Sequence, residues 1–474
     1  MTSNRYILFG VVGLAMLLAS MQGSMIGVAF RDIAAGLDAP DRWVNWVLAI
    51  FMVTQAVSMP ISGKLSDELG RRTVFVSGVI VFLLASVVCA AAPNVYILII
   101  ARAAQGFAGG SLLPSAYGVI GDAWGPEGRA QAIGMLSSVF PIGGILGPNI
   151  GGFIVEHLGW RWTFLVNLPL GVVVVVLALV LMPAAVERQR HPIDFVGAGL
   201  LLAAVSSLVY ALTELSLASG THPVVVFAAI TIAIVATLLF LRHESRTSEP
   251  ILDLQLLRRR EFAFVNTLNF FYGLVVFGLF TYIPLYAQEA YKMSESASGL
   301  LLTPRAVAMI VASSLGALLL PRTGYRKPII AGMLGMSVTL VLLSRGLHQP
   351  TVAGIELSNF FYVGTLAALS GFCFGFSGPA ANNAAIELAP DRIAAITGLR
   401  GMFRSIGGAI GTSLVVLVMS HASSREIGLE RAFLGLAVAA AFVSLLVIGI
   451  PDRAATRVPT PVREPAAQPA GGDG

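Results

Sequence analysis

The residues inside the apolar segments of this chain that can do chemistry are mostly arginines. Four of them lie well inside such segments: Arg102, Arg305, Arg400 and Arg404. No aspartate or glutamate lies equally deep, because the acidic residues nearest to the segments sit close to their ends. A charge within hydrocarbon is costly unless it faces a cavity or a partner. The pattern predicts an internal cavity with cationic and few anionic groups, which favours neutral or anionic amphiphiles over cations.

The composition is that of a protein that crosses a membrane many times. Hydrophobic residues make up 56% of the chain and charged residues 12%, about half the roughly 25% of soluble proteins. In lipid every backbone group must bond internally, so we expect the apolar segments to be helices. The six histidines lie in loops or at segment ends, and no cysteine–histidine cluster or phosphate loop is present. The sequence therefore supports no enzyme, no metal site and no cofactor.

We expect an all-α integral membrane protein with fourteen spans, because apolar runs of about 18 or more residues recur to the end of the chain. The spans are predicted at 6–30, 43–63, 73–93, 95–121, 129–154, 163–183, 194–214, 222–241, 262–288, 297–320, 327–346, 358–386, 394–420 and 431–450. With the N-terminus in the cytoplasm, that side holds 19 lysines and arginines against 7 outside. The positive-inside rule therefore places both termini in the cytoplasm. This asymmetry explains the net charge of +5 without a nucleic-acid partner.

A charged stretch, Gly63-Lys64-Leu65-Ser66-Asp67-Glu68-Leu69-Gly70-Arg71-Arg72, lies between spans 2 and 3. It predicts a hairpin in water at a membrane face, where its glycines permit a tight reversal. Its pattern, G-x-L-x-D-x-x-G-R-R, resembles at every position the loop signature of the major facilitator superfamily of secondary transporters. The resemblance implies a charge latch of Asp67 and Arg71, in which Asp67 meets the N-terminal end of span 13 near 392–395 and favours the outward-facing state. The alternative is a solvated turn.

Residues 98–110 in span 4 carry a second likeness to this family. They match its pattern l-x-x-x-R-x-x-q-G-x-x-x-g, with Arg102 at the arginine position. The resemblance implies that Arg102 takes part in proton coupling. The alternative is an arginine near the outer interface that snorkels to water.

A third motif, at 143–152 in span 5, matches the family's exporter signature G-x-x-x-G-P-x-x-G-G. Its glycines Gly143, Gly147 and Gly151 recur at every fourth position, so they form a flat stripe on one helix face. Pro148 frees a carbonyl and bends the helix. We expect close helix packing along the stripe, and the resemblance implies export rather than uptake.

The resemblance covers nearly all of 1–450 and is strongest to the fourteen-helix branch of drug/proton antiporters. The string 160–171 at the start of span 6, Asp194 at the start of span 7, Gln288 at the end of span 9, Pro304 and Arg404 all fit that branch. It implies export of amphipathic small molecules across the bacterial cytoplasmic membrane by alternating access, in exchange for protons. The alternatives are export of a native lipid, siderophore or metabolite with another coupling ion, and a transporter-like sensor that moves nothing.

Span 1 departs from that branch at one position. Where the branch usually carries L-D-x-T-I-V, this chain has Met21-Gln22-Gly23-Ser24-Met25-Ile26, so Gln22 replaces the aspartate that the family would titrate. A glutamine hydrogen-bonds but carries no exchangeable charge near neutral pH. Proton coupling then requires another arrangement or a carboxylate near a span end, of which the chain has Asp32, Asp122, Glu156, Glu214, Glu289 and Glu387.

The candidate cavity residues are polar side chains at suitable depth within the spans. They are Gln22, Ser24, Gln55, Tyr117, Asn269, Tyr272, Tyr282, Asn382 and Asn383, together with Arg305. For each uncharged residue the alternative is a helix–helix hydrogen bond, and for Arg305 it is a pair with Glu289 or a carbonyl. Arg400 and Arg404 lie one turn apart near the cytoplasmic end, where they fit either an inner gate or side chains that snorkel to the interface.

A weak internal repeat divides the chain into two halves, since 141–148 in span 5 resembles 405–412 in span 13. We expect two six-helix bundles related by pseudo-symmetry, with the substrate site between them near the middle of the bilayer. The predicted units are the bundles 1–183 and 262–450, a two-helix insert at 184–242, a basic cytoplasmic loop at 243–261 and a disordered cytoplasmic tail at 451–474. The basic loop serves as an orientation anchor or as a contact with anionic membrane lipid.

Overall fold

A computed structural model describes residues 2–137, 139–182, 194–217, 222–247, 250–252, 254–352, 355–386, 393–449 and 452. The fold is all-α, with the helices α1 (Thr2–Gly36), α2 (Asp41–Glu68), α3 (Arg71–Ala91), α4 (Val95–Ser137), α5 (Val139–Leu158), α6 (Trp162–Leu165), α7 (Asn167–Leu181), α8 (Phe195–Leu215), α9 (Pro223–Glu244), α10 (Leu254–Leu257), α11 (Arg260–Tyr291), α12 (Glu295–Leu300), α13 (Leu302–Thr323), α14 (Arg326–Leu343), α15 (Asn359–Ile386), α16 (Ile393–Ser420) and α17 (Arg425–Leu446). A short antiparallel pair, β1 (Thr351–Val352) and β2 (Ile355–Glu356), joins α14 to α15.

The described helices account for every predicted span. Thirteen helical segments are long and apolar enough to cross a membrane. The predicted fifth span is represented by α5, which has 20 residues. Spans 6 and 10 are each interrupted by one non-helical residue, since α6 is followed by α7 and α12 by α13. The fold class predicted from hydropathy is confirmed.

Two predicted loops are wrong in their extent. The stretch 63–72 is mostly helical rather than a hairpin, because α2 continues to Glu68. Between Gly63 and Gly70 no glycine or proline interrupts the helix. Gly70 has a φ of 86°, a conformation that glycine adopts without strain, and it makes the reversal into α3. The predicted loop at 122–128 also lies within a helix, α4, whose backbone groups bond along the helix. Of the predicted tail, only Asp452 is described; its carboxylate accepts from the backbone amides of Tyr325 and Arg326.

Two ends of the bundle are distinguished below. The N-terminal face is the end at which α1 begins and α2 meets α3, and the opposite face is the end at which α1 meets α2. The pair α8 and α9 packs beside α2 and α16, where the Trp46 indole nitrogen donates to the Thr213 hydroxyl at 2.7 Å. A buried apolar cluster joins α1 and α2 to α11 and α17 near the opposite face.

Helices α1 and α5 pack closely along the glycine stripe. A Cβ atom on Gly143 would lie 2.6 Å from the Ser20 Cβ, and one on Gly147 would lie 2.0 Å from the Ser24 Oγ. Ser24 itself donates to the carbonyl of Met21, on its own helix, at 3.0 Å. These distances leave room for a hydrogen but for no larger side chain. The close packing predicted from the spacing of the glycines is present.

We predict that Gly147→Ala lowers the thermal unfolding temperature of the purified protein in detergent, by a loss of about 1–3 kcal/mol of stability from overpacking. Gly144→Ala is the matched control, because a Cβ there has nothing within 4 Å. Both substitutions gain the same helix propensity, so the difference between them reports the contact with α1. Equal melting temperatures for the two variants would contradict the packing.

Candidate functional site

Arg102 is held by the protein and does not reach water. Its side chain on α4 is fully buried, its Nε donates to the Val47 carbonyl at 2.9 Å, and its Nη1 donates to Gln105 Oε1 at 2.7 Å. The guanidinium group also lies 4.1 Å from the centre of the Phe51 ring. The alternative of an arginine that snorkels to the interface is therefore wrong. Its partners are a carbonyl, an amide and a ring, so a role in proton coupling stays a prediction.

Gln22 is buried in the contact between α1 and α7. Its Oε1 accepts from Asn167 Nδ2 at 2.6 Å, and its own amide nitrogen has no hydrogen-bond partner. Asn167 belongs to the string 160–171 that resembles the antiporter branch, but the sequence predicted no role for it. The position that carries a titratable aspartate in the resembled branch is here an amide pair that ties two helices together.

The arginines of the stretch 63–72 dock onto neighbouring helices at the N-terminal face. Arg71 pairs with Asp122 of α4 at 3.0 Å and donates to the Gly118 carbonyl. Arg72 donates to the Leu179 carbonyl of α7 at 2.7 Å. The side chain of Asp67 and those at 392–395 lie outside the described residues, so the latch between them stays a prediction.

An ion cluster joins the two halves at the opposite face. Arg425 of α17 makes two bonds to the Asp41 carboxylate of α2, at 2.7 and 2.9 Å, and a third to Glu289 of α11 at 3.0 Å. The pairing of Arg305 with Glu289, one of the sequence alternatives, is therefore wrong, because Glu289 binds Arg425. Sequence reasoning missed Asp41 and Arg425; the only signal was opposite charge in two loops predicted on the same side.

The glycine motif of α5 also lies at this junction. Asn149 accepts from the Thr303 hydroxyl at 2.7 Å, and Glu156 accepts from the Ser296 amide at 2.9 Å. The carbonyl of Pro148 would lie 2.2 Å from a Cβ on Gly299. One face of α5 thus packs on α1 and another on α12 and α13. The polar bonds between described residues of the two halves all lie toward the opposite face, so the halves are closed there.

Two predicted cavity residues form hydrogen bonds within packed helices. Tyr282 is fully buried and donates to Asn45 at 3.0 Å, and Asn45 donates to Ser413 of α16 at 2.9 Å. Asn269 is buried and donates to the Val265 carbonyl of its own helix at 2.8 Å. Tyr282 thus makes the helix–helix hydrogen bond that was the alternative, whereas the bond of Asn269 stays within α11.

The other cavity candidates differ in exposure. Gln55 and Tyr117 are partly exposed, whereas Asn382 and Asn383, near the N-terminal face, are exposed. Tyr272 is buried, and its ring centre lies 5.6 Å from that of Phe374. A mostly apolar groove of about 430 Å³ lies elsewhere, between α2 and the pair α8 and α9, lined by residues that include Trp46, Ser206, Tyr210, Ala229 and Ile232.

Arginines and aromatic rings meet in the C-terminal half. The Arg305 guanidinium group lies 3.4 Å from the centre of the Phe280 ring, and that of Arg404 lies 4.9 Å from the centre of Phe374. Arg400, one turn before Arg404, is 9% exposed, so it is not extended to the interface. In the part of the chain that the structure describes, none of the three pairs with a carboxylate. The structure can thus offer positive charge to a ligand.

Comparison with known proteins yields one family and several close relatives. The family model for the Major Facilitator Superfamily matches residues 12–412 and, in a second match, 267–469. "Multidrug transporter protein MdtP" of Bacillus subtilis is 32% identical over 89% of this chain and 76% of its own length. "Multidrug resistance protein 3" of the same organism is 29% identical over 92% and 83%. "Multidrug resistance protein Stp" of Mycobacterium tuberculosis is 29% identical over 89% and 77%.

A solved structure shares the fold. It is a bacterial homolog of the human lysosomal transporter Spinster, described as inward-facing and unoccupied. The match has a TM-score of 0.65 at 16% identity and covers 95% of this chain and 98% of that one. At this identity the likeness supports the fold alone.

We predict that Arg425→Gln loosens the closure at the opposite face, because it leaves the Asp41 and Glu289 carboxylates without their shared cation. Spin labels are attached at Asp38→Cys and Ser423→Cys, on exposed loops of the two halves. Pulsed electron paramagnetic resonance then measures the distance between the two labels. Cys89 and Cys373 are buried and are replaced by alanine to leave the labels unique.

The expected result of this measurement is a longer and broader distance distribution than in the unsubstituted protein. Arg431→Gln is the control, because Arg431 is exposed on the same helix. The same distances in all three proteins would contradict a closing role for the ion cluster.

Proposed function

The chain belongs to the Major Facilitator Superfamily, and from this premise we propose that it exports amphipathic small molecules, drugs or compounds like them, by alternating access in exchange for protons. The observation that carries the proposal is the position of the motif at 143–152, which matches the family's exporter pattern and lies where the two halves close. The named multidrug proteins among its relatives support the same assignment.

The N-terminal face is cytoplasmic in this proposal, as the distribution of lysine and arginine predicts. The closure at Asp41, Arg425 and α5 then lies on the outside. A transporter closed outside is in the state in which an exporter loads its substrate from the cytoplasm or the inner leaflet. Binding of substrate shifts the balance between the two states only as far as its affinity differs between them.

Coupling to protons uses the carboxylates of the outer ion cluster, because Gln22 neither takes up nor releases a proton near neutral pH. Asp41 and Glu289 share one cation, Arg425. A proton that arrives from outside neutralises one carboxylate and weakens its charge-assisted bonds, and it leaves toward the cytoplasm when both carboxylates bind Arg425 again. This links proton uptake to the opening of the outer face and hence to release of substrate.

The test is uptake by proteoliposomes that contain only this protein, with an imposed pH gradient and a panel of cationic, neutral and anionic dyes. We expect gradient-driven dye movement that stops when a protonophore collapses the gradient. Gln22→Asp restores a titratable group in α1 and shifts the pH dependence without abolishing transport. Absence of dye movement by the unsubstituted protein for the whole panel would contradict the proposed function.

A double variant of the ion cluster tests whether its carboxylates couple transport to protons. We expect Asp41→Asn combined with Glu289→Gln to reduce gradient-driven uptake to the level seen with the protonophore, because neither side chain can then take up a proton. Glu356→Gln is the matched control, since that carboxylate also lies at the outer face and is exposed. Full gradient-driven uptake by the double variant would assign coupling to other residues.

A further inference from the structure

Four helices of the C-terminal half bring two arginines to the ends of a pair of phenylalanines. Phe280 of α11 and Phe374 of α15 meet edge to face, with ring centres 6.4 Å apart. Arg305 of α13 lies over the first ring at 3.4 Å, and Arg404 of α16 lies over the second at 4.9 Å. The cluster, which we call the arginine–phenylalanine site, consists of these four residues.

The backbones around this site approach each other closely. A Cβ on Gly371 of α15 would lie 2.0 Å from the Arg305 carbonyl, and one on Gly273 of α11 would lie 1.9 Å from the Arg404 carbonyl. Glycine at these two positions lets α13 and α16 come near enough to deliver their arginines to the ring pair. The arrangement is therefore fixed by rigid helices rather than by loops.

The guanidinium groups at this site keep donors that the described part of the chain does not bind. Among the described residues, the buried Nε atoms of Arg305 and Arg404 have no hydrogen-bond partner, and the same holds for the Nε atom of Arg400, one turn before Arg404. Arg102 shows the contrast, because its Nε and Nη1 both donate to protein acceptors. The face of an aromatic ring attracts a cation but accepts no ordinary hydrogen bond from it. The Nε donors of the site thus have no acceptor among the described residues and can bind one on a ligand.

The electrostatics of the site select the sign of that ligand's charge. A cation would meet three positive side chains, Arg305, Arg400 and Arg404, and no carboxylate paired with them among the described residues. An anion gains charge-assisted hydrogen bonds in a medium where few competing waters are present. Ring faces and edges of Phe280, Phe374 and Tyr272 supply the apolar surface for the rest of the molecule.

We infer, on the basis of the proposed function, that the substrates of this transporter are amphipathic anions, with an aromatic body and one ionised acidic group (a carboxylate, sulfonate, phosphate or phenolate), and that they bind at the arginine–phenylalanine site. The aromatic body packs along Phe280 and Phe374, and the acidic group pairs with a guanidinium group at the end of the pair. Arg400 extends the positive charge toward the N-terminal face, the side from which the substrate enters. Among the described residues, Arg404 and Tyr117 lie close enough to Arg400 to interact with its charge.

Two dyes with one skeleton and opposite charge test the inference. Fluorescein methyl ester is an anion at pH 8 and rhodamine 123 is a cation, and both are xanthene methyl esters. Their binding to the full chain in nanodiscs of zwitterionic lipid is measured by fluorescence anisotropy, with empty nanodiscs subtracted. We expect the anion to bind at least about tenfold more tightly, as the loss of a charge-assisted bond of about 1.5–3 kcal/mol would give.

Variants of the site separate charge from packing. We expect Arg305→Gln and Arg404→Gln each to weaken binding of the anion about tenfold or more and to leave binding of rhodamine 123 unchanged or stronger. Arg322→Gln is the matched control, because Arg322 is exposed on the last turn of the same helix as Arg305. Arg305→Lys and Arg404→Lys keep the charge and should keep the preference for the anion at reduced affinity, even where a glutamine variant fails to fold.

Several outcomes would overturn the inference. Equal affinity for the two dyes would do so. Lysine variants that show no preference for the anionic dye, or folded glutamine variants that bind the anion as tightly as the unsubstituted protein, would also overturn it. Displacement of the dye by acetate as effectively as by naphthalene-2-carboxylate would show a site for small anions, which also overturns it. Gradient-driven transport of rhodamine 123 alone would leave the proposed function standing and reject the anionic substrate. Binding of the anion without transport of either dye would leave the preference for an anion standing and contradict the proposed function.

Discussion

The absence of water in the hydrocarbon layer is the constraint on which the rest of this structure depends. Every polar group placed there must find its partner in the protein. The N-terminal half obeys this rule at Arg102, which donates to the Val47 carbonyl and to Gln105. The C-terminal half leaves Arg305, whose buried Nε has no hydrogen-bond partner. This difference separates residues that hold the fold from residues available to a ligand.

The same constraint explains why glycine is concentrated where helices meet. In lipid, association of helices rests on close packing and on hydrogen bonds rather than on the hydrophobic effect. Gly147 brings α5 against α1 within one half, and Gly152 and Gly299 bring α5 against α12 across the halves. A single helix therefore serves the interior of one bundle and the closure between bundles. Movement between the halves must break the second set of contacts and keep the first.

Much of this architecture follows from sequence because it depends on local properties. Hydropathy predicts the spans, since each needs only length and apolar composition, and the spacing of Gly143, Gly147 and Gly151 predicts one packed face. The ion cluster could not be predicted in this way, because Asp41 and Arg425 are 384 residues apart and only the fold brings them together. The partner of Glu289 was also beyond local reasoning, because Arg305 is near in sequence and Arg425 is 136 residues away, yet the fold pairs Glu289 with Arg425. The continuation of α2 through 63–68 was not predicted, because the charged residues there were interpreted as part of a loop.

The most direct test of this account is a cryo-electron microscopy map of the full chain in nanodiscs with fluorescein methyl ester. The account predicts ligand density beside Phe280 and Phe374, within hydrogen-bond distance of Arg305 or Arg404, in a protein that is closed at the Asp41–Arg425 cluster. Density in the groove lined by Trp46 and Tyr210 instead, with the arginine–phenylalanine site unchanged from the map without dye, would contradict it.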